Sequence, residues 1–345
     1  MTPATPSFPS ETLAKRIWRL CFAIEPMRHE WWELFIFRAL IAWCAWETLS
    51  GPSRFHSQPV PHGIATWGVD FSWLGSEDVA ECLVPIIGAC LLTYLILPLL
   101  QAFLGSTRSD SPGASTKVDW ICVIALTPPL IASFGHGVLG NSQGAIGHTT
   151  QIVTSVLFAQ WLGLGWAAIR RDPAKLPHGY NSQQLAADWT RQLIAASYVA
   201  SAITKLWISG GNWLKETPYF GLQIAKATGQ AYYEWLTPPD NASWLAQFLI
   251  DHPIVATVLI GVALPLELFA FLGLHNRRAA LFFGVSLAGF HCSVTEIMHL
   301  GFVFHKVILF WFFGNVGWWI VTAGKWVLGK RGAPAATAVA STPLR

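Results

Sequence analysis

Charged residues are scarce in this chain. Aspartate, glutamate, lysine and arginine make up 12% of its 345 residues, whereas soluble domains carry about 25%. Hydrophobic residues make up 53%, and the mean hydropathy is +0.43. The formal net charge of only +3 comes without a basic cluster that carries interleaved aromatic residues, so we expect no nucleic-acid partner. The composition predicts an integral membrane protein whose main partner is the lipid bilayer.

The sequence also lacks a cleavable signal peptide and closely paired cysteines. No apolar run precedes Cys21, and charged residues follow it at Glu25, Arg28 and Glu30, so we expect the first apolar run to be an uncleaved anchor. None of the six cysteines forms a C-x-x-C pair, and four of them lie in apolar runs. We interpret these as small buried hydrophobic residues, and predict neither a disulfide framework nor a zinc site.

Long apolar runs recur along the chain. About 20 residues are needed to cross a bilayer, and eight runs approach or exceed that length. The predicted fold class is therefore all-α: a polytopic helical bundle of about eight transmembrane helices, plus an interfacial helix in the aromatic-rich loop Ile208–His252. The eight predicted spans are Trp32–Leu49, Ala80–Leu104, Val118–His136, His148–Ala168, Trp189–Trp207, Pro253–Leu274, Ala280–His299 and Gly301–Ala323.

Lysine and arginine are distributed unequally between the two sets of loops. With the N-terminus in the cytoplasm, fifteen of them lie on the cytoplasmic side, three lie outside and four lie within or beside the spans. The positive-inside rule then predicts that both termini are cytoplasmic, in a bacterial inner membrane or in the endoplasmic reticulum of a eukaryote. We expect a cytoplasmic segment 1–31, a membrane domain 32–324 and a disordered cytoplasmic tail 325–345.

The run Trp189–Leu214 carries an unusual polar stripe. Arg191, Tyr198 and Lys205 are spaced seven and seven, and each step of seven drifts by only about 20° around an α-helix, so the three side chains share one face. Ionisable residues at membrane depth are functional candidates by default. Lys205 has an alternative interpretation as an anchor that extends its amine to the headgroup layer, and both interpretations stay open.

Histidines are predicted to lie near Lys205 in the outer leaflet. His148 opens the fourth span, His291 and His299 lie in the outer half of the seventh, and His305 begins the eighth. We expect few carboxylates near this cluster. A desolvated lysine can act as a base, and a histidine can give or take a proton near neutral pH. This set favours proton transfer to or from a hydrophobic cosubstrate. No metal site is predicted, and haem bound by the histidines is an alternative.

Four short motifs carry a family resemblance. In chain order they resemble segments of the vitamin K-dependent γ-carboxylases and of the wider horizontally transferred transmembrane (HTTM) family, and together they cover roughly Phe37 to Trp311. The motifs are F-R at Phe37–Arg38, G-H at Gly147–His148, Y-V-A-S-A-I-T-K-L at Tyr198–Leu206 between Arg191 and Trp213, and F-H-C at Phe290–Cys292.

The resemblance implies a chemistry. Lys205 would be the base that deprotonates a vitamin K-type hydroquinone or another quinol, which then takes up O2 and becomes strong enough to remove a proton from glutamate before CO2 adds. His148 and His291 would be catalytic residues of the same pocket. Arg38, Arg191 and Tyr198 correspond to framework or pocket positions. We class these three, together with His299, as cofactor-binding.

The chain also departs from the carboxylases. They have a long C-terminal lumenal region for substrate recognition, whereas this chain ends soon after its last predicted span. The spacer from Lys205 to Trp213 is also longer. We therefore expect a secreted protein or peptide substrate, or a separate recognition subunit. Besides an enzyme of lyase or oxidoreductase type, two alternatives remain: a non-catalytic membrane subunit or maturation factor for a secreted protein, and a haem or quinone electron carrier.

Overall fold

Helices account for nearly all of the described structure. The computed structural model describes residues 27–50, 69–105, 112–142, 148–170, 176–177, 180–235, 242–298 and 300–332, and within these ranges the chain forms no β-sheet. The all-α prediction is confirmed. The helices are α1 (Trp31–Leu49), α2 (Glu77–Gly105), α3 (Pro112–Ser142), α4 (His148–Arg170), α5 (Ser182–Ile208), α6 (Trp213–Glu216), α7 (Phe220–Trp235), α8 (Ala242–Asp251), α9 (Pro253–Gly261), α10 (Ala263–Leu268), α11 (Arg277–Met298), α12 (Val303–Val307) and α13 (Val316–Gly332).

Four helices are long and apolar enough to cross a membrane. They are α2, α3, α4 and α11. Three bent pairs raise the number to as many as seven among the described residues: α5 with α6–α7 at 78°, α8 with α9–α10 at 103°, and the helix beginning at Val303 with α13 at 44°. The predicted number of eight is not confirmed, because α1 carries Glu33, Arg38 and Glu47 within its 19 residues.

One break lies at the start of a predicted span, and another lies within one. Pro253 begins α9 directly after α8, where its missing N–H prevents the helix from continuing. The last predicted span is broken between Ile308–Phe313, a π-helical segment, and α13. Asn315 has φ of +49° at this break, a left-handed conformation that an α-helix does not tolerate. The first break joins α8, from a predicted loop, to the predicted span Pro253–Leu274 at an angle, and the second divides the predicted span Gly301–Ala323 into a bent pair.

The main hydrophobic core lies between α1, α2, α3, α4 and α5, with contributions from α11 and the π-helical segment. Helices α4 and α5 approach closely because small residues meet there. A Cβ at Gly163 would lie 2.7 Å from the Cα of Ala186, which leaves no space for a side chain. The loop predicted to hold one interfacial helix contains both α7 and α8, which pack together over a separate small core around Ile224 and Leu249.

A buried ionic cluster joins α1 to distant parts of the chain. Glu33 accepts hydrogen bonds from Nη1 of Arg277 at 2.8 Å and from Nδ2 of Asn315 at 2.5 Å. Its carboxylate also lies 3.3 Å from Nδ1 of His29. Burial lowers the pKa of His29, although the neighbouring Glu33 opposes that shift. The cluster fixes the start of α1 against the start of α11 and the break before α13.

Two sequence predictions need correction. Helix α13 continues to Gly332, so residues 325–332 are helical rather than disordered, while 333–345 lie outside the described residues. Of the cysteines predicted to be buried, Cys44 and Cys122 are, but Cys292 is exposed and Cys90 is half-buried. An apolar run does not by itself predict burial here, because a surface that faces lipid is also apolar.

Candidate active site

A cavity of about 550 Å³ lies between α4, α5, α7, α9, α10, α11 and the chain around Phe302. We call it the main cavity. Most of its wall is apolar or aromatic. Its polar lining consists of Gln151, Ser155, Ser197, Tyr198, Ser201, Lys205, Gln223, Glu267, His291 and His305.

Lys205 is paired with a carboxylate that the sequence analysis did not expect. Its Nζ lies 2.6 Å from Oε1 and 2.5 Å from Oε2 of Glu267. The hydroxyl of Ser201, one turn earlier on α5, points at the same carboxylate from 3.4 Å. The Glu267 side chain is only 4% exposed, whereas that of Lys205 is 27% exposed. Both residues line the main cavity, and the carboxylate is the more deeply buried of the two.

We expected few carboxylates near the histidine and lysine cluster, and among the described residues Glu267 is the one carboxylate that lines the main cavity. Glu267 is the only ionisable residue in the apolar run Pro253–Leu274. The rule that singled out Lys205, that an ionisable residue in an apolar run is a functional candidate, applies equally to Glu267. What the sequence could not provide is the pairing, because 62 residues and several chain reversals separate the two side chains.

The turn after α5 brings an aromatic ring over Lys205. Gly210 and Gly211 have φ of +57° and +80°, values that favour glycine. The N–H of Gly211 donates to the carbonyl of Leu206 at 2.8 Å, so the chain turns back at the end of the helix. Trp213 follows at the start of α6, with its ring centre 5.6 Å from Nζ of Lys205. This distance is within the range of a cation–π contact.

A second polar pair involves Tyr198, which lies about two turns before Lys205 on α5. The phenol oxygen of Tyr198 lies 2.7 Å from Nε2 of His291, and both residues are buried. The imidazole also packs against Phe302 at 4.4 Å and against His305 at 5.2 Å between ring centres. A phenol and an imidazole at this distance share one proton, and either can present a hydrogen bond to a bound molecule.

The structure brings together three of the seven predicted site residues. Lys205, Tyr198 and His291 all line the main cavity. His148 begins α4, and Gln151 on the next turn lines the cavity, but the side chain of His148 lies outside the described residues. His299 also lies outside them. Residues from α5 and α11 are therefore joined as predicted, and the contribution of His148 stays a prediction.

The two predicted cofactor-binding arginines lie elsewhere. Arg191 is 1% exposed, and its Nη2 donates to the carbonyl of Gly273 at 3.1 Å. Arg38 donates from Nη1 to the backbone carbonyl of Tyr94 at 2.7 Å, and its guanidinium also stacks on the phenol ring of Tyr94. Neither arginine lines the main cavity. Arg191 shares a helix face with Lys205, but four turns of α5 separate the two side chains, so their surroundings differ. Arg191 and Arg38 each connect one helix to another part of the chain.

Within the described residues, no group of three or more histidine, cysteine, aspartate or glutamate side chains is positioned to hold a metal ion. The chemistry open to the main cavity is that of its two polar pairs, which can move protons and bind polar groups of a mainly apolar molecule.

No family model, curated protein or solved structure matches this chain.

Proposed function

We propose that the chain is a multi-pass membrane enzyme whose main cavity binds a quinol-type cosubstrate and whose Lys205–Glu267 pair removes a proton from it. The observation that carries this proposal is the contact of both Glu267 oxygens with Nζ of Lys205 in the wall of a cavity. A buried carboxylate behind a partly exposed amine forms a unit that can hold one additional proton.

The dimensions and lining of the main cavity support a cosubstrate of this class. A volume of about 550 Å³ falls within the range of about 300–1,000 Å³ that is usual for small-molecule sites. The apolar and aromatic wall suits a planar ring system with a hydrophobic tail. The two polar pairs, Lys205–Glu267 and Tyr198–His291, suit the oxygens of such a ring.

The proposed proton transfer balances without creating net charge. Before transfer, Lys205 is an ammonium and Glu267 a carboxylate. As the quinol hydroxyl gives its proton to Lys205, Lys205 passes one of its own to Glu267. The products are a quinol monoanion, an ammonium and a neutral carboxylic acid. The ammonium remains next to the new anion and stabilises it in a site of low dielectric constant.

Tyr198 and His291 have a supporting role in this proposal. Because they already form a hydrogen bond at 2.7 Å, they present a fixed donor and acceptor to the cavity. We propose that they orient the ring by binding its other oxygen. The further steps implied by the resemblance to γ-carboxylases, uptake of O2 and addition of CO2 to a peptide glutamate, are part of this proposal and rest on the resemblance.

We further propose eight spans, with α1 as the first and both termini cytoplasmic. Two of the three charged residues of α1 have partners inside the protein: Glu33 pairs with Arg277, and Arg38 binds the Tyr94 carbonyl. The third, Glu47, is exposed and lies in the last turn of the helix. The exposed side of α1 carries Trp31, Trp43 and other large apolar residues, which suits lipid contact.

The orientation has a direct test in intact cells. A cysteine at exposed Asn212, beyond the end of α5, should react with a membrane-impermeant thiol reagent. A cysteine at exposed Lys325, on α13, should react only after the cells are opened. Labelling of Lys325→Cys alone in intact cells would reverse the proposed orientation.

The proposed function has a test that needs no substrate. Detergent-purified protein is extracted with organic solvent, and quinones are identified by mass spectrometry. Ser201→Phe fills the main cavity, whereas Ala200→Phe places the same ring on the exposed neighbouring position, which does not line the cavity. We expect a quinone in the wild type and in Ala200→Phe, and its loss in Ser201→Phe. Equal amounts in both variants, or none in the wild type, would contradict cosubstrate binding.

A second candidate function is a non-catalytic membrane subunit or maturation factor for a secreted protein. It is favoured by the geometry of the Lys205–Glu267 pair itself, because a lysine held by both oxygens of a buried carboxylate also has the form of a structural ion pair. In that case no quinone would be retained, and Lys205→Arg would preserve function.

A further inference from the structure

A second cavity adjoins the main one. Its volume is about 320 Å³, and we call it the side chamber. It lies between α6, α7 and α9, where the carboxylate-bearing residue Glu216 and the exposed Tyr219 belong to its lining. The two cavities share four wall residues, which are Trp213, Phe220, Gln223 and Ile260.

Trp213 occupies a central place in this shared wall. Its ring covers the ammonium of Lys205 at 5.6 Å, and the residue lines both cavities. Its Nε1 is buried and finds no acceptor among the residues that the structure describes. A buried N–H without an acceptor is unfavourable compared with a position in which it meets one. The observed position of the indole is therefore not the best one for its polar atom.

The backbone around Trp213 is suited to movement. It is carried by α6, a helix of only four residues that begins without a side-chain hydrogen bond at its cap. The preceding residues Gly210 and Gly211 are left-handed, and in the described part of the chain no heavy atom lies within 4 Å of the place where a Cβ of Gly211 would be. A short, uncapped helix behind two glycines can turn with few contacts to break.

We propose that Trp213 is a movable partition between the two cavities, and that the molecule bound next to Lys205 enters from the side chamber when the indole turns aside. When the indole returns, its ring covers one side of the ammonium and limits access to the Lys205–Glu267 pair from the side chamber. The inference rests on the proposed function only in that the main cavity receives a small molecule.

The partition is tested by the reaction rate of a cysteine at Ser201, which lines the main cavity one turn from Lys205. A water-soluble methanethiosulfonate is used, in full-length protein whose exposed Cys82 and Cys292 are replaced by serine. Trp213→Ala should raise the rate about tenfold or more, because entry no longer waits for the open state. Trp207→Ala, at a residue that is 85% exposed and lines neither cavity, is the matched control and should leave the rate unchanged.

A second variant works in the opposite direction and preserves the aromatic ring. Trp213→Phe removes the unpaired N–H, so the closed position should become more favourable and the rate should fall by several-fold to about tenfold. Equal rates for wild type and Trp213→Ala would overturn the proposal. An unchanged or faster rate in Trp213→Phe would also overturn it. The Trp213→Phe measurement is sufficient on its own if Trp213→Ala does not purify as a monodisperse protein.

The assay separates the two proposals because it contains no cosubstrate. If the Ser201→Cys modification rate depends on Trp213 but no quinone is extracted from the protein, the partition is supported and the quinol proposal is rejected. If a quinone is extracted but the modification rate is the same in the wild type and in the Trp213 variants, the quinol proposal is supported and the partition is rejected.

Discussion

Glu267 presents both carboxylate oxygens to Nζ of Lys205, at 2.6 and 2.5 Å, from a position 62 residues further along the chain. The carboxylate is almost completely buried, whereas the amine is partly exposed, and both residues line the main cavity. In the proposed reaction the two residues have different parts: the lysine meets the bound quinol, and the glutamate stores the proton. Protonation of Glu267 on quinol binding distinguishes this arrangement from a purely structural ion pair.

The first prediction is that Lys205 and Glu267 are strongly coupled in stability. Glu267→Ala should leave Lys205 without its partner and lower the free energy of unfolding by about 2–4 kcal/mol, less than for a completely buried pair because Lys205 reaches solvent. Lys205→Met combined with Glu267→Leu should cost less than the sum of the single changes. Thermal unfolding in detergent measures Glu267→Ala, the double variant and its two single variants, Lys205→Met and Glu267→Leu. Additive losses would show that the two side chains do not interact.

The second prediction concerns the hydrogen bond between Tyr198 and His291. Tyr198→Phe removes one partner of a buried pair, so we expect a loss of about 1–3 kcal/mol in the free energy of unfolding. Tyr219→Phe is the control, because Tyr219 is 58% exposed, and it should change stability by no more than about 0.5 kcal/mol. Equal effects of the two substitutions would mean that the Tyr198 hydroxyl has no significant partner.

The third prediction tests how α4 and α5 pack. Gly163→Ala places a Cβ 2.7 Å from the Ala186 backbone, so the helices must separate, and we expect a cost of about 1–3 kcal/mol. Gly137→Ala is matched to it, since that glycine lies within α3 and a Cβ there would meet nothing within 4 Å. This control should be neutral or stabilising, by up to about 1 kcal/mol. A neutral Gly163→Ala would contradict the close approach.

The fourth prediction concerns pH and His29, which precedes α1. Burial lowers the pKa of His29 below its usual 6.5, so the unfolded chain binds a proton at a pH where the folded protein does not. Stability should therefore be constant above pH 6.5 and fall as the pH drops from 6.5 towards the lowered value. His29→Gln should flatten this part of the curve, measured as unfolding temperature against pH, whereas exposed His252→Gln should not. An equal slope in His29→Gln would assign the loss to another group.

The polar stripe of α5 shows how far the sequence could predict the site. The seven-residue spacing correctly placed Tyr198 and Lys205 on one face, because the helix there is regular and local periodicity determines which side chains align. The same spacing gave no information about depth. Arg191 lies on that face but meets the Gly273 carbonyl rather than the cavity.

The unpredicted parts depend on contacts between distant segments. Glu267 was visible as an isolated charge in an apolar run, but its partner was not, since the bend between α8 and α9 determines where it points. The place of Trp213 follows from two left-handed glycines, whose φ values a sequence does not reveal. The bends within three pairs of helices were not predicted, because hydropathy cannot distinguish a straight helix from a bent pair.

The central claim is that Glu267 receives a proton when a quinol binds beside Lys205. Infrared difference spectroscopy measures this directly, with reduced 2-methyl-1,4-naphthoquinone as the probe. Binding to the wild type should produce the C=O stretching band of a protonated carboxylic acid. Glu267→Gln should abolish the band. Lys205→Arg should also abolish it while the probe still binds, because arginine keeps the charge but does not release its proton. Binding to the wild type without a new band, or the same band in Glu267→Gln, would contradict the claim.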